Sequence, residues 1–448
     1  MSTTTTGSST QPARTERVAH AFVRDVPLPG DAGTLALVTV DNGLDHTKPT
    51  TLGLAGLTEL HDVLVAQQAR AAAGEIAAVA VTGKPYYLAA GADLTAAAAI
   101  SQVEDARRIA ELGHATYRLL GEMAVPTFAY VNGAALGGGL ELALNCTYRT
   151  VSADVSALAL PEVFLGLVPG WGGCYLLPRL VGVRRAVELI LTRPLANNRM
   201  TSAAGALELG LVDAVLHPAD FLEQSVVWTA DVLAGRVSVE RPEVEGQQEW
   251  DAVVAGTRQV LDHRLHGSRP APYRALELIA AARTSDKDTA FAAEDDVLTE
   301  LLMSDELRAS LYAFDLTSRK ARKPAGAPPA ELARPVRSVG IVGAGLMAGQ
   351  LAVLIARRLR VPVLMREIDE ERVAAGLAGI RKQVEGLVHK GRISADEGNR
   401  LLASITVTTD LGTLAGADLV IEAVTEVLSL KQRVFAELED VIAPDAVL

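Results

Sequence analysis

The chain has 448 residues, 49% of them apolar, and a net charge of −12. That is too long for one ordinary domain and apolar enough for sizeable cores, so two or three domains are expected. The acidic balance argues against a nucleic-acid partner, because nothing neutralises phosphates broadly. Two cysteines, Cys146 and Cys174, make neither a disulfide framework nor a metal cluster and suit a reducing compartment.

Residues 1–16 have no apolar signal-peptide core and are expected to form a disordered tail. GTLALVTV (33–40) reads as a first buried strand, and residues 52–73 carry apolar side chains at helical spacing. EIAAVAVTG (75–83) reads as strand then turn, and VPTFAYVNG (125–133) repeats the pattern. This alternation recurs up to about Val215, an α/β signature. From about His217 to Leu316 the spacing predicts helices, and KARKPAGAPPAELARP (320–335) is a linker by composition. SVGIV and VPVLM (361–365) read as strands of a further unit, with QLAVLIARRL as a helix between them. Residues 123–140 and 338–356 lack charges over nearly a membrane-spanning length. Their Pro126, Gly137, Gly138 and Gly139, and their Gly340, Gly343, Gly345 and Gly349, read as strand–turn–helix, so no membrane span is expected.

Two glutamates stand on glycine-rich segments. Glu141 lies in VNGAALGGGLELAL (131–144) and Glu162 in LPEVFLGLVPGWGG (160–173). Carboxylates facing one substrate can divide proton removal from proton donation. Either alone, in the first turn of a helix, could simply complement the helix dipole. The GGG run before Glu141 offers backbone N–H groups to a developing oxyanion. Asp93 suits a cap on the helix that continues LTAAAAI. Trp171 suits packing as well as substrate contact. Tyr86 and Tyr87 read as core aromatics, with the border of a ligand channel as the other reading. Both cysteines lie in apolar or glycine-rich stretches, as inert buried thiols do.

These two segments and TGKPYYLAAGADL (82–94), with LALVTVDNGLDHTKPTTL (35–52) and AAGALELGLVDAVL (203–216), resemble the enoyl-CoA hydratase (crotonase) family over roughly residues 17–215. The resemblance implies a β-β-α spiral fold and a reaction without metal or cofactor. It implies that Glu141 activates water and that Glu162 exchanges the proton at C2. Gly138 and Ala92 would supply the oxyanion N–H groups, and Ala90, Gly91, Ala92, Asp93, Leu94 and Gly138 would border the acyl-CoA substrate. A Δ3,Δ2-enoyl-CoA isomerase using Glu162 alone, or a noncatalytic acyl-CoA-binding subunit, are the other readings; retention of both glutamates favours hydration.

VGIVGAGLMAGQLA (339–352) places Gly343-x-Gly345-x-x-Ala348 between a predicted strand and helix, the context a dinucleotide fingerprint requires. Glu367 lies 367 − 343 = 24 residues beyond the first glycine, suitable for adenosine ribose hydroxyls. Arg366 could accommodate a 2′-phosphate, but the acid favours NAD. DLVIEAVTEVLSLKQRVFAELE (418–439) resembles the following segment of 3-hydroxyacyl-CoA dehydrogenases. That resemblance implies cofactor contacts from Met347, Val424, Glu426 and Lys431, with the last three near the nicotinamide end. Val427-Leu428 replaces the family's usual Asn-Pro, and a solvated charge is the other reading of Lys431. The whole resembles the start of multifunctional fatty-acid oxidation α-subunits. The expected division is a hydratase domain at 17–216, a helical region and linker at 217–334, and an incomplete Rossmann-type doubly wound domain at 335–448. The family's catalytic histidine has no counterpart before Leu448, so no dehydrogenase activity is expected of this chain. The resemblance also implies an oligomer, a thiolase β-subunit as partner and a cytoplasmic location.

Overall fold

The computed structural model describes residues 16–241, 243–321 and 326–448, and residues 1–15 of the expected tail lie outside them. Glu16 is described, and its carboxylate accepts the N–H groups of Ala55 and Gly56. The chain forms two compact units, Met1–Ala325 and Gly326–Leu448.

The first unit holds two sheets. The larger has the order β1-β2-β3-β5-β7-β9: β1 (His20–Pro27), β2 (Thr34–Asp41), β3 (Ala78–Gly83), β5 (Thr127–Val131), β7 (Tyr148–Ser152) and β9 (Ala214–Leu216). The smaller is β4 (Tyr86–Ala89), β6 (Gly133–Leu136) and β8 (Leu158–Ala159). β1 runs antiparallel to β2 and the other pairs are parallel. β3, β5 and β7 each feed one strand to the large sheet, then β4, β6 and β8 each add one to the small sheet. Helices follow each pair: α1 (Leu54–Ala72) precedes the first, α2 (Leu94–Ala99) and α3 (Val103–Gly121) follow it, α4 (Gly138–Leu144) follows the second and α5 (Glu162–Leu165) the third. The chain therefore winds as a β-β-α spiral. β3 and β5 are buried at every position because both faces are covered, so their sequences are continuous apolar runs rather than alternating ones.

The expected 33–40 segment is β2, the first buried strand, and it is preceded by the exposed strand β1. Its HAFVRDVP has a mostly exposed pattern, because β1 is an edge strand with little burial to shape its sequence.

Short helices α6 (Gly173–Val181), α7 (Val183–Val187), α8 (Arg193–Leu195) and α9 (Ala203–Glu208) close the spiral. α10 (Phe221–Leu233), α11 (Gln247–Leu265), α12 (Pro270–Ala281), α13 (Lys287–Leu302) and α14 (Asp305–Asp315) follow. α13 packs along α3. Trp250, Leu276, Phe291 and Leu298 join Val81 and Leu140 in one core, so no break in the core falls at 216. An Ala/Leu-rich helix must bury its apolar stripe against something, and here the partner is the spiral itself.

The second unit is a parallel sheet of β12 (Ile405–Thr408), β11 (Val363–Arg366), β10 (Val339–Val342) and β13 (Leu419–Glu422), in that spatial order. The order, third-second-first-fourth, is that of a Rossmann half with its switch point between β10 and β13. α15 (Leu346–Leu359), α16 (Glu370–His389), α17 (Ala395–Ala403) and α18 (Leu428–Glu439) complete the unit.

Candidate active site

A cavity of about 820 Å³ opens in the first unit where β4, α4 and α5 meet. Ala90, Gly91, Ala92, Asp93, Leu94, Gly138, Glu141 and Glu162 all line it. Leu52 pairs with Ala92 through the Gly91 carbonyl (2.8 Å) and the Asp93 N–H (3.1 Å). In such a parallel pairing the N–H of Ala92 points away from Leu52. Gly91 sits at φ +73°, and a Cβ on it would lie 3.0 Å from the Gly138 nitrogen. The Ala90–Leu94 segment therefore touches the start of α4. Gly138 is the first residue of that helix, ahead of its internal hydrogen-bond ladder. α4 spans only two turns, so its dipole is small and the N–H groups themselves must do the binding. Asp93 Oδ1 accepts the Ala96 N–H at 3.4 Å, a weak cap on α2.

Trp171 forms one wall. Its ring occupies the space that side chains on Gly113 and Gly138 would fill, since Cβ atoms there would lie 2.1 Å and 2.4 Å from it. Tyr117 meets the ring edge-on at 5.4 Å. Packing and cavity lining are thus the same role for Trp171.

Glu141 is buried (2% exposed). Its Oε1 accepts the N–H groups of Trp171 and Gly173, both at 2.8 Å. Burial and the nearby Glu294 carboxylate push its pKa up to about 7, against the pull of those two N–H groups and His114. Glu162 is also pushed well above the usual carboxylate range, by burial and then by the charge on Glu141. Its Oε2 has no hydrogen-bond partner among the described residues. Two buried carboxyls with raised proton affinity can divide between them the holding and the accepting of a proton.

Sequence reasoning missed the group behind Glu141. His114 on α3 bonds Asp295 through Nδ1 (2.6 Å) and Glu294 through Nε2 (3.1 Å), both on α13. Glu294 also accepts the N–H groups of Gly172 (2.7 Å) and Tyr175 (2.8 Å). The signal was an adjacent acidic pair on a helix with many apolar positions, 122 positions from the turn it binds. Leu298 and Phe314 also line the cavity, from α13 and α14.

Two expectations need correction. Tyr86 is no core aromatic: it is 62% exposed, beside His46. Its backbone pairs with Gly133 across β4–β6, at φ +71°, and a Cβ on Gly133 would lie 2.0 Å from the Tyr86 carbonyl carbon. Lys431 is no free surface charge: its Nζ meets Glu422 at 2.6 Å and Glu426 at 3.1 Å. Cys146 and Cys174 are buried, and burial pushes the Cys146 thiol up to about 12.

In the second unit Gly343 sits at φ +106°, where a Cβ would lie 2.8 Å from the Ala423 carbonyl across the switch point. Gly345 precedes α15, and a Cβ there would meet nothing, so the turn has an open face. Ala348 is buried where α15 packs on the sheet. Glu367 Oε1 accepts the Ala344 N–H at 2.7 Å, tying the acid to the turn. Gly345 and Glu367 share a cavity of about 830 Å³. Val424 donates its N–H to Glu422 (2.6 Å), Glu426 is largely exposed, and Met347 is exposed at the start of α15. The open turn and its acid fit a dinucleotide.

Residues 36–241 match the family described as enoyl-CoA hydratase/isomerase, and residues 338–448 match the NAD-binding domain of 3-hydroxyacyl-CoA dehydrogenase. Among solved structures, the chain is 26% identical to an enoyl-CoA hydratase from Bacillus anthracis, covering 66% of this chain and 96% of that one, with a TM-score of 0.42. An enoyl-CoA hydratase from Mycobacterium avium subsp. paratuberculosis K-10 is 21% identical over 67% of this chain and 97% of its own, at a TM-score of 0.46. M. tuberculosis FadB2 is 41% identical over 26% of this chain and 40% of its own, at a TM-score of 0.25. The first unit thus carries a domain of the enoyl-CoA hydratase/isomerase family and the second the NAD-binding domain of 3-hydroxyacyl-CoA dehydrogenases, the pairing of a hydratase/dehydrogenase of fatty-acid oxidation.

Proposed function

We propose that Glu141 and Glu162 hydrate 2-enoyl-CoA at the first cavity. Water attacks C3 as Glu141 takes its proton. The C2–C3 π electrons move toward the thioester, and negative charge gathers on its oxygen between the N–H groups of Ala92 and Gly138. Glu162 delivers its proton to C2, and the product is a 3-hydroxyacyl-CoA. The carrying observation is the two carboxyls on one cavity, each with its proton affinity raised by burial and a neighbouring carboxylate. Glu141→Gln and Glu162→Gln should each lower crotonyl-CoA hydration by about 10²–10⁴-fold while folding is kept. Near-normal turnover by either folded variant would overturn these roles.

Hydration needs no cofactor. In the second unit Gly343, Gly345, Ala348 and Glu367 would hold NAD, which when bound accepts hydride from a substrate alcohol. Met347 would also contact it, and Val424, Glu426 and Lys431 would border its nicotinamide end. No helix among the described residues is long and apolar enough to cross a membrane. We place the protein in the cytoplasm as an oligomer with a thiolase β-subunit. The chemistry supports that assembly: the hydration product is a dehydrogenase substrate, and its oxidised form is a thiolase substrate. Co-purification with light scattering tests it.

A further inference from the structure

The turn Pro169–Tyr175 is gripped from two sides. Glu141 on α4 takes the N–H groups of Trp171 and Gly173, and Glu294 on α13 takes those of Gly172 and Tyr175. We propose that Glu294 is a positioning residue for Glu141, fixing through this shared turn both the place of the Glu141 carboxylate and the field it feels. The inference rests on the hydratase reading above. Glu294 does not line the cavity, so it acts only through the turn and through its charge.

Glu294 is 1% exposed and stays anchored because His114 pairs with it and with Asp295. A buried carboxylate without such a cation would take up a proton instead. Hydrogen bonds to both acids hold His114 protonated against its own burial, so the group behind the turn carries charges of both signs. Other titratable groups face Glu141 from each neighbouring element: Glu162 on α5, Tyr117 on α3 and Cys174 on α6. Burial raises all three, which favours their uncharged forms. The charges that Glu141 meets are therefore the Glu294 carboxylate, which raises its proton affinity, and His114, which lowers it.

The experiment is the pH profile of kcat for crotonyl-CoA hydration, per folded molecule, in the full chain. Glu294→Gln removes the charge and one of the two acceptors. It should lower kcat between about tenfold and a hundredfold with KM little changed. It should also move the acid limb of the profile down by about one pH unit, because Glu141 loses a repelling neighbour. Glu294→Asp keeps the charge but shortens the reach. It should lower kcat several-fold with the limb unmoved. A group that merely supports folding would move neither quantity per folded molecule, and that result would overturn the proposal. If Glu294→Gln does not fold, Glu294→Asp carries the test, and wild-type kcat in that variant overturns it. Failure of the wild-type chain to hydrate crotonyl-CoA would instead remove the hydratase reading beneath it.

Discussion

Glu141 and Glu162 are the same side chain, and burial raises the proton affinity of both against different sets of partners. Glu141 keeps two peptide N–H groups that favour its charge, whereas at Glu162 burial and the charge on Glu141 outweigh a backbone hydrogen bond. His114 is the third residue with a displaced proton. Burial opposes its charge, but Asp295 and Glu294 outweigh burial and lift its pKa from 6.5 to about 9. A histidine whose pKa is raised by folding contributes stability that is fully present below the unfolded value. That contribution is lost as pH rises through the folded one. The window here is therefore about pH 6.5 to about 9, and the loss across it is up to about 3 kcal/mol. Urea unfolding should show wild-type stability falling from pH 6.5 to pH 9. His114→Gln should be less stable at pH 6.5 and flatter across that range. A variant with the wild-type slope would place the titration elsewhere.

At the scale of elements, α4 lies against β4 because Gly139 has no side chain: a Cβ there would stand 2.0 Å from the Ala89 carbonyl oxygen. That neighbour is backbone and cannot rotate away. Gly139→Ala should destabilise the first unit by about 3 kcal/mol or more, the upper range for overpacking. A melting temperature equal to wild type would show that α4 can lift without cost. The glycines that allow this approach, and the two glutamates that follow them, were legible in the sequence because each lies within one short segment. The strand–turn–helix around Gly343 was legible for the same reason. β1 was not, since an edge strand buries too little to show a period. The grip of α13 on the active-site turn was not either. Glu294 and Asp295 are adjacent, so they follow no helical stripe, and their partners lie on α3 and beyond α5.

At the scale of the whole molecule, the chain has separate cores. One set holds Val81, Leu140 and Phe291, and another holds Ile341, Ala352 and Val363, with no shared residue. Each is expected to unfold as its own cooperative step. Calorimetry should resolve two transitions. NAD at 100 times its Kd should stabilise the second unit alone by about 3 kcal/mol. A single transition, or an equal shift of both, would refute independent folding.

The double grip on the Pro169–Tyr175 turn bears on how such a gene can be cut and recombined. The hydratase family match ends at residue 241, and a crossover there would look clean in an alignment. It would nonetheless leave the turn's second anchor, Glu294, with the wrong fragment, and would strip the partner from the apolar face of α3. The unit that can be inherited as a working whole is longer than the unit that sequence families recognise, and it runs on through α13.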